Sequence, residues 1–223
     1  MANEFIFLLH VVLTISFSLG MLVLGRGALF AAIALQAVFA NLFVIKQISL
    51  FGFSVTAADA YIVGCMMCSN FLQEFYGKKS ADMATWVFAV GFIWYVAAGW
   101  VHLAYNPLPA DWAQPHFFAI LKHAPRIVFA SLIALFTAMR INSLVFYVVP
   151  SFLGLKVLWL RNLVSIGLSQ FADTAIFAFL GLYGLVESVW QIIFVATTIK
   201  ILVVSLASPF SEIARFLVKK RDV

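Results

Sequence analysis

Long apolar runs separated by short polar breaks set the pattern of this chain. Crossing a hydrocarbon core of about 30 Å takes roughly 20 residues of helix. Seven runs are near that length: residues 4–25, 28–48, 57–76, 82–105, 125–149, 160–182 and 188–209. The breaks carry turn chemistry: Gly25-Arg26-Gly27, Gly77-Lys78-Lys79, Asn106-Pro107-Leu108-Pro109, the glycine-bounded stretch 181–184, and Ser208-Pro209. The longest break, about 106–124, holds Trp112, His116 and Phe117, whose amphipathic rings suit a membrane interface. The pattern predicts an all-α, polytopic membrane protein of about seven transmembrane helices.

Composition narrows the solvent. Of 223 residues, 65% are hydrophobic and 10% charged, and the mean hydropathy is +1.07. A water-soluble domain carries about 25% charged residues, so this chain has too little charge to cover a surface facing water. The Ala2-Asn3-Glu4 head lacks the basic residues of a secretory leader, and the first run reads as a retained helix. The net charge of +5 bears on orientation rather than on nucleic acid. Arg26, Lys78, Lys79, Arg140, Lys156, Arg161, Arg215, Lys219, Lys220 and Arg221 fall on one side, and Lys46, Lys122 and Arg126 on the other. That bias predicts a plasma (inner) membrane protein with its N-terminus outside and its C-terminus cytoplasmic. The tail, 210–223, reads as a short basic amphipathic helix suited to anionic lipid.

Polar side chains at membrane depth are where function is expected, because a charge there costs roughly 2.5–3.5 kcal/mol on insertion scales. Arg161, Ser165, Ser169 and Asp173 recur every four residues and share one helical stripe, with Gln170 and Thr174 forming a neighbouring pair. Lys200 lies near the middle of the last run, with Thr197 on its face. The third run carries Asn70, Gln73 and Glu74, the second Asn41, and the fifth opens on Arg126 with Ser131. The hydroxyls and Asn41 serve equally well as hydrogen-bonding glue between helices, whereas Asp173, Lys200 and Glu74 are a costly form of glue. Arg126 and Arg161 are placed to snorkel as well as to bind.

Other chemistries fit less well. Cys65 and Cys68 stand three residues apart in an apolar run, without a second cysteine pair, and read as buried packing. The spacings of His10, His102, His116 and His123 suit no metal site, so neither metal nor cofactor is expected. No serine has a histidine at its depth to act as base, which argues against an intramembrane enzyme. No nucleotide-binding motif is present.

Four stretches together resemble the queuosine precursor transporter family, also called the vitamin uptake transporter family. They are Asn41-Leu42-Phe43-Val44; Phe71-Leu72-Gln73-Glu74-Phe75-Tyr76-Gly77-Lys78-Lys79; the Arg126-led segment to Ser131; and Trp159-Leu160-Arg161 through Ser169-Gln170-Phe171-Ala172-Asp173-Thr174, followed by Lys200 and Pro209. The resemblance spans about 28–215. It implies a six-helix transporter core with the basic C-terminal helix over 27–223, preceded by an extra N-terminal transmembrane helix over 1–26. Members of this family usually have an Asp where Asn70 stands here, and often a Gln and an Asp near Met139 and Asn142. The implied activity is import of a 7-deazaguanine base (preQ0, preQ1 or queuine) for tRNA modification, with no enzymatic step. The implied substrate-binding residues are Glu74, Asp173, Gln170, Asn70, Lys200, Asn41, Arg126, Ser169, Thr174 and Gln73. The edge of such a base offers adjacent N–H donors that one carboxylate accepts together. Phe71, Phe75 and Trp159 are candidates to stack on its plane, and Lys200 to neutralise an acid when no base is bound. The partners implied are the nucleobase and the lipid bilayer, the working unit standing open between monomer and homodimer. An alternative reading is the substrate-binding membrane subunit of a multi-component importer whose ATPase lies on other chains.

Overall fold

The computed structural model describes residues 3–43, 46–56, 58–122, 125–153, 157–184 and 189–221. Every apolar run forms a helix: α1 (Asn3–Leu24), α2 (Arg26–Phe43), α3 (Asp59–Tyr76), α4 (Lys78–Leu103), α6 (Pro125–Leu153), α7 (Leu158–Phe177) and α8 (Val189–Ala207). A short helix, α5 (Gln114–Leu121), lies within the longest break, and α9 (Ser211–Arg221) forms from the basic tail. The joints are tighter than the turn residues suggest. A single residue, Gly25 at φ 109°, reverses the chain between α1 and α2, a conformation that glycine adopts without a Cβ penalty.

Six spans are long and apolar enough to cross a membrane: Asn3–Leu24, Arg26–Phe43, Lys78–Leu103, Val128–Val149, Leu158–Gly181 and Ile192–Val218. The protein is a polytopic membrane protein. Helix α3 is not among the six, since Asp59, Ser69, Asn70, Gln73 and Glu74 dilute its hydropathy. It is held by enclosure instead. Fourteen of its 18 residues are buried, and it packs against α1, α2, α4, α6, α7 and α8. Lipid therefore meets the apolar outer helices, and the polar residues of α3 meet protein.

Close approach around α3 depends on small residues. A Cβ on Gly64 would run into the Gln36 amide and lie 2.5 Å from Thr14 Cγ2, so α1 and α2 come down onto α3 at this point. Small residues at such crossings let backbones approach, a main source of helix association in lipid. Cys65 and Cys68, free and fully buried, face α2 beside it: the Cys65 thiol donates to the Ile33 carbonyl at 3.4 Å, and Gln36 donates to Cys68 Sγ at 3.6 Å.

One expectation is overturned. The second run was expected to stay helical to residue 48, but α2 ends at Phe43 and residues 47–50 form a strand, β1 (Gln47–Leu50). It pairs antiparallel with β2 (Phe53–Thr56), Leu50 opposite Phe53, through a two-residue turn. Phe51 and Gly52 both have positive φ (52° and 82°), the conformation of the turn type that matches strand twist. The physical reason lies in the alternation of Ile48, Ser49 and Leu50, a period-two pattern that a helix cannot bury on one face. The hairpin stands beside α1 and α8. Asn3 donates to the Ser49 carbonyl and the Phe51 N–H to Glu4, both at 3.1 Å, while Leu50 packs on Ile199 and Phe7. Its tip therefore lies at the start of α1, and its base leads to the ends of α2 and α3, which stop short of that level.

Candidate functional site

Helices α3 and α7 run antiparallel, and the polar stripe of α7 faces a matching stripe on α3. From one end to the other the paired positions are Arg161 with Glu74, Ser165 with Asn70, and Ser169 with Met66. The structure thereby divides the polar residues into three levels.

At the first level, Lys200 of α8 reaches two acids. Its ammonium is 2.7 Å from Asp173 Oδ2 and 3.6 Å from Asp59 Oδ1. Asp59, Asp173 and Lys200 are only 5, 6 and 7% exposed. Lys200 is the twelfth residue of α8, about 17 Å along that helix at 1.5 Å per residue, roughly half the depth of a 30 Å core. Asp59 arrives at this depth because α3 begins there, below the hairpin. The sequence reading missed Asp59. An acid inside the 57–76 run was the available signal, and its position beside a helix start made it look like a boundary residue.

At the middle level the groups are neutral. Asn70 donates to Asn162 Oδ1 at 2.5 Å and to Ser165 at 3.1 Å, and accepts from Asn142 at 2.8 Å. Gln73 exchanges hydrogen bonds with Ser143, donating to its carbonyl at 3.0 Å and accepting from its hydroxyl at 2.9 Å. Ser169 donates to the Ile166 carbonyl of its own helix at 2.8 Å and lies 3.1 Å from Met66 Sδ, to which Gln170 donates at 3.0 Å. Thioether sulfur is a weak acceptor, so the Gln170 amide is only lightly committed. Gln170 Oε1, Ser69 Oγ, Asn142 Oδ1 and Asn162 Nδ2 are buried without a hydrogen-bond partner. Ser143 and Asn162 were not singled out from the sequence, and Asn142 only as a position where this chain departs from the family. Asn142 and Ser143 come from α6, and no spacing rule joins them to α3.

At the third level Glu74 is closed between two arginines, 2.5 Å from Arg161 and 2.8 Å from Arg215. The Arg161 guanidinium also lies 4.0 Å from the centre of the Phe146 ring. Helix α9 contributes twice here, since Glu212 accepts the Trp159 N–H at 3.0 Å at the start of α7. The basic tail is thus docked on protein through Arg215 and Glu212, with Ala214 fully buried. Glu74 and Asp59 lie 15 residues apart on α3, about 22 Å along its axis.

The remaining nominated residues sit apart from these contacts. Asn41 donates to the Ala37 carbonyl of its own helix at 2.8 Å, and Thr174 to the Gln170 carbonyl at 2.9 Å. Arg126 donates to the Leu180 and Tyr183 carbonyls at 2.8 and 2.7 Å, capping the π-helical turn (178–182) that extends α7. Arg126 and Arg161 therefore occupy opposite ends of α7. Phe71 is fully buried against Phe75, whereas Trp159 is partly exposed. Among the described residues no group of three or more His, Cys, Asp and Glu side chains is placed to hold a metal ion.

A row of polar groups thus lies between α3 and α7 inside an apolar helical body, charged at both ends and neutral between, where such groups are costly to keep without a function. Comparison with known proteins identifies its context. The family described as "Putative vitamin uptake transporter" matches residues 56–214. The chain belongs to this transporter family. It is also 31% identical over 222 residues to a protein of Bacillus subtilis (strain 168) named "Probable queuosine precursor transporter", covering 96% of this chain and 93% of that one. No solved structure matches the chain. The family is one of transporters and not of enzymes, and its match begins at the hairpin and takes in α3, α7 and α8, which carry the column.

Proposed function

We propose that this member of the vitamin uptake transporter family imports a 7-deazaguanine queuosine precursor or salvage base, preQ0, preQ1 or queuine, into the cytoplasm. The observation that carries the reading is the Asp59–Lys200–Asp173 cluster at mid-depth, next to the lightly held amide of Gln170. A carboxylate there accepts the paired N–H donors of a guanine-type edge in bidentate fashion. The Gln170 carbonyl oxygen and the Asn70 network supply acceptors and donors for the rest of the ring. Ser169 and Thr174 adjoin Gln170 and Asp173 along α7 and Asn41 lies near the end of α2; this reading assigns all three to the binding site. Glu74, held by Arg161 and Arg215, closes the opposite end of the column, and Gln73 lies one residue before it. Arg126 holds the loop end of α7 nearer the cluster. The charge bias of the loops places that end outside and the Glu74 end, with α9, in the cytoplasm. Seven helices then cross the bilayer, α3 as the central, protein-enclosed one.

The test is rescue of queuosine in tRNA. Cells that keep the inserting enzyme but cannot make the base are given preQ0, preQ1 or queuine at low concentration, with and without this chain. Rescue by one base supports the reading and names the substrate. Failure with all three, despite verified membrane insertion, overturns stand-alone import of these bases. Rescue only on co-expression of an ATPase module would show a subunit of a multi-component importer.

A further inference from the structure

Two buried acids share one buried cation. Lys200 is hydrogen-bonded to Asp173, while Asp59 at 3.6 Å lies beyond hydrogen-bond reach of the ammonium. With all three groups ionised the cluster carries one negative charge that no salt bridge among the described residues offsets. Among the described residues no further cation is paired with the cluster, and Lys46, at the base of the hairpin, is exposed. The hairpin, 47–56, contains no ionisable side chain, and Glu4 of α1 is taken up by the Phe51 N–H. His10 of α1 lies against the ring of Tyr61, centroids 4.4 Å apart, and the thiols of Cys65 and Cys68 face α2. Fixed negative charge at membrane depth without a partner costs several kcal/mol. One lysine and one aspartate would make a neutral glue, so the second acid is surplus to structure. Beside it, Gln170 Oε1 is fully buried without a partner, one turn from Asp173 on α7.

We infer that Asp59 is a cargo-site residue and that the Asp59–Lys200–Asp173 cluster takes up one unit of positive charge with each molecule carried. The inference rests on the import reading above. The charge is the cargo's own ammonium where the base bears one. It is a proton on the Asp59 carboxyl where the base is neutral. In either case the loaded cluster is neutral, the empty one is negative, and each cycle moves one positive charge inward.

The purified protein in sodium-free proteoliposomes tests this with two probes: neutral 7-cyano-7-deazaguanine and cationic 7-aminomethyl-7-deazaguanine. A potassium-diffusion potential of about 100 mV, interior negative, is worth about 2.3 kcal/mol per charge, so whichever base is carried should accumulate to about 50-fold. At zero potential an alkaline interior should concentrate the cyano base and not the aminomethyl base, which separates the proton from the cargo's own charge. For the cyano base, Asp59→Asn should allow equilibration without concentration and Asp59→Glu should keep concentration. For the aminomethyl base, which carries the charge itself, Asp59→Asn should slow uptake by about tenfold or more without lowering the final level. Uptake that reaches only equal concentrations under the potential overturns the inference while leaving the import reading intact, as does undiminished accumulation of the cyano base, or an unchanged uptake rate of the aminomethyl base, by Asp59→Asn. Absence of uptake of either base, and of queuine supplied in the same assay, by the wild-type protein overturns both.

Discussion

Single residues fix how close the helices come and which charges they trap. Lys200→Met leaves two carboxylates facing each other in a dry interior. Removing one partner of such a group costs about 3–5 kcal/mol, so the variant should unfold in detergent at a clearly lower temperature than wild type. Adding Asp59→Asn and Asp173→Asn to the same variant should recover much of that loss, because amides are cheaper to bury unpaired than anions. A charge cluster with no bearing on stability would show no such recovery. Gly64 sets the spacing of α1 and α2 against α3. Gly64→Leu should abolish monodisperse protein on size-exclusion chromatography, and Gly64→Ala should already lower the melting temperature, because its Cβ would meet the Gln36 amide and lie 2.5 Å from the methyl of Thr14, a stiff β-branched side chain. Gly64 reads as an ordinary apolar position until the neighbouring helices are in place.

Secondary-structure elements decide depth. Because α2 and α3 have 18 residues each and end below the hairpin, Asp59 is carried to the level of Lys200. Backbone that is not helical is tolerated at membrane depth only where protein or a water-filled cavity covers its polar groups, and α1 and α8 flank this hairpin. Gly52→Val forces a β-branched residue into a positive-φ position. It should lower thermal stability by about 1–3 kcal/mol and raise hydrogen exchange across residues 47–56. An unchanged exchange pattern would show that the turn is not what holds the hairpin. At the other joint, Arg126 satisfies the last carbonyls of α7 in the way a cation suits a helix C-terminus. Arg126→Ala should speed exchange over 178–184 and cost under about 1 kcal/mol. The alternation that marks β1 was present in the sequence, but it followed an apolar helical run without a break, and hydropathy alone could not tell the two apart.

The whole molecule joins its ends to its centre. Helix α9 reaches Glu74 on α3 through Arg215 and the start of α7 through Glu212. A chain ending at Phe210 should therefore melt at lower temperature in detergent, with faster exchange at residues 158–161. Retention of the wild-type melting temperature would reduce α9 to a lipid-facing tail. A fluorescent reporter fused at the C-terminus should be bright, as expected of a cytoplasmic end, and an external tag at the N-terminus should be reachable in intact cells.

Hydropathy and loop composition by themselves determined the class of protein, the seven long apolar helices with their approximate limits apart from the end of α2, and the α7 stripe, because each depends on local period or on transfer from water. The third- and sixth-run motifs also carried the family. What only the tertiary structure decided is which polar groups share a level. Glu74 and Asp173 read as equivalent acids along the chain. Folding gives the first to two arginines and the second to Lys200, because antiparallel packing of α3 on α7 sets their register. Asp59, Asn142, Ser143, Asn162 and Arg215 join the column through contacts between residues up to 141 positions apart, and no periodicity within one helix encodes the partner on another.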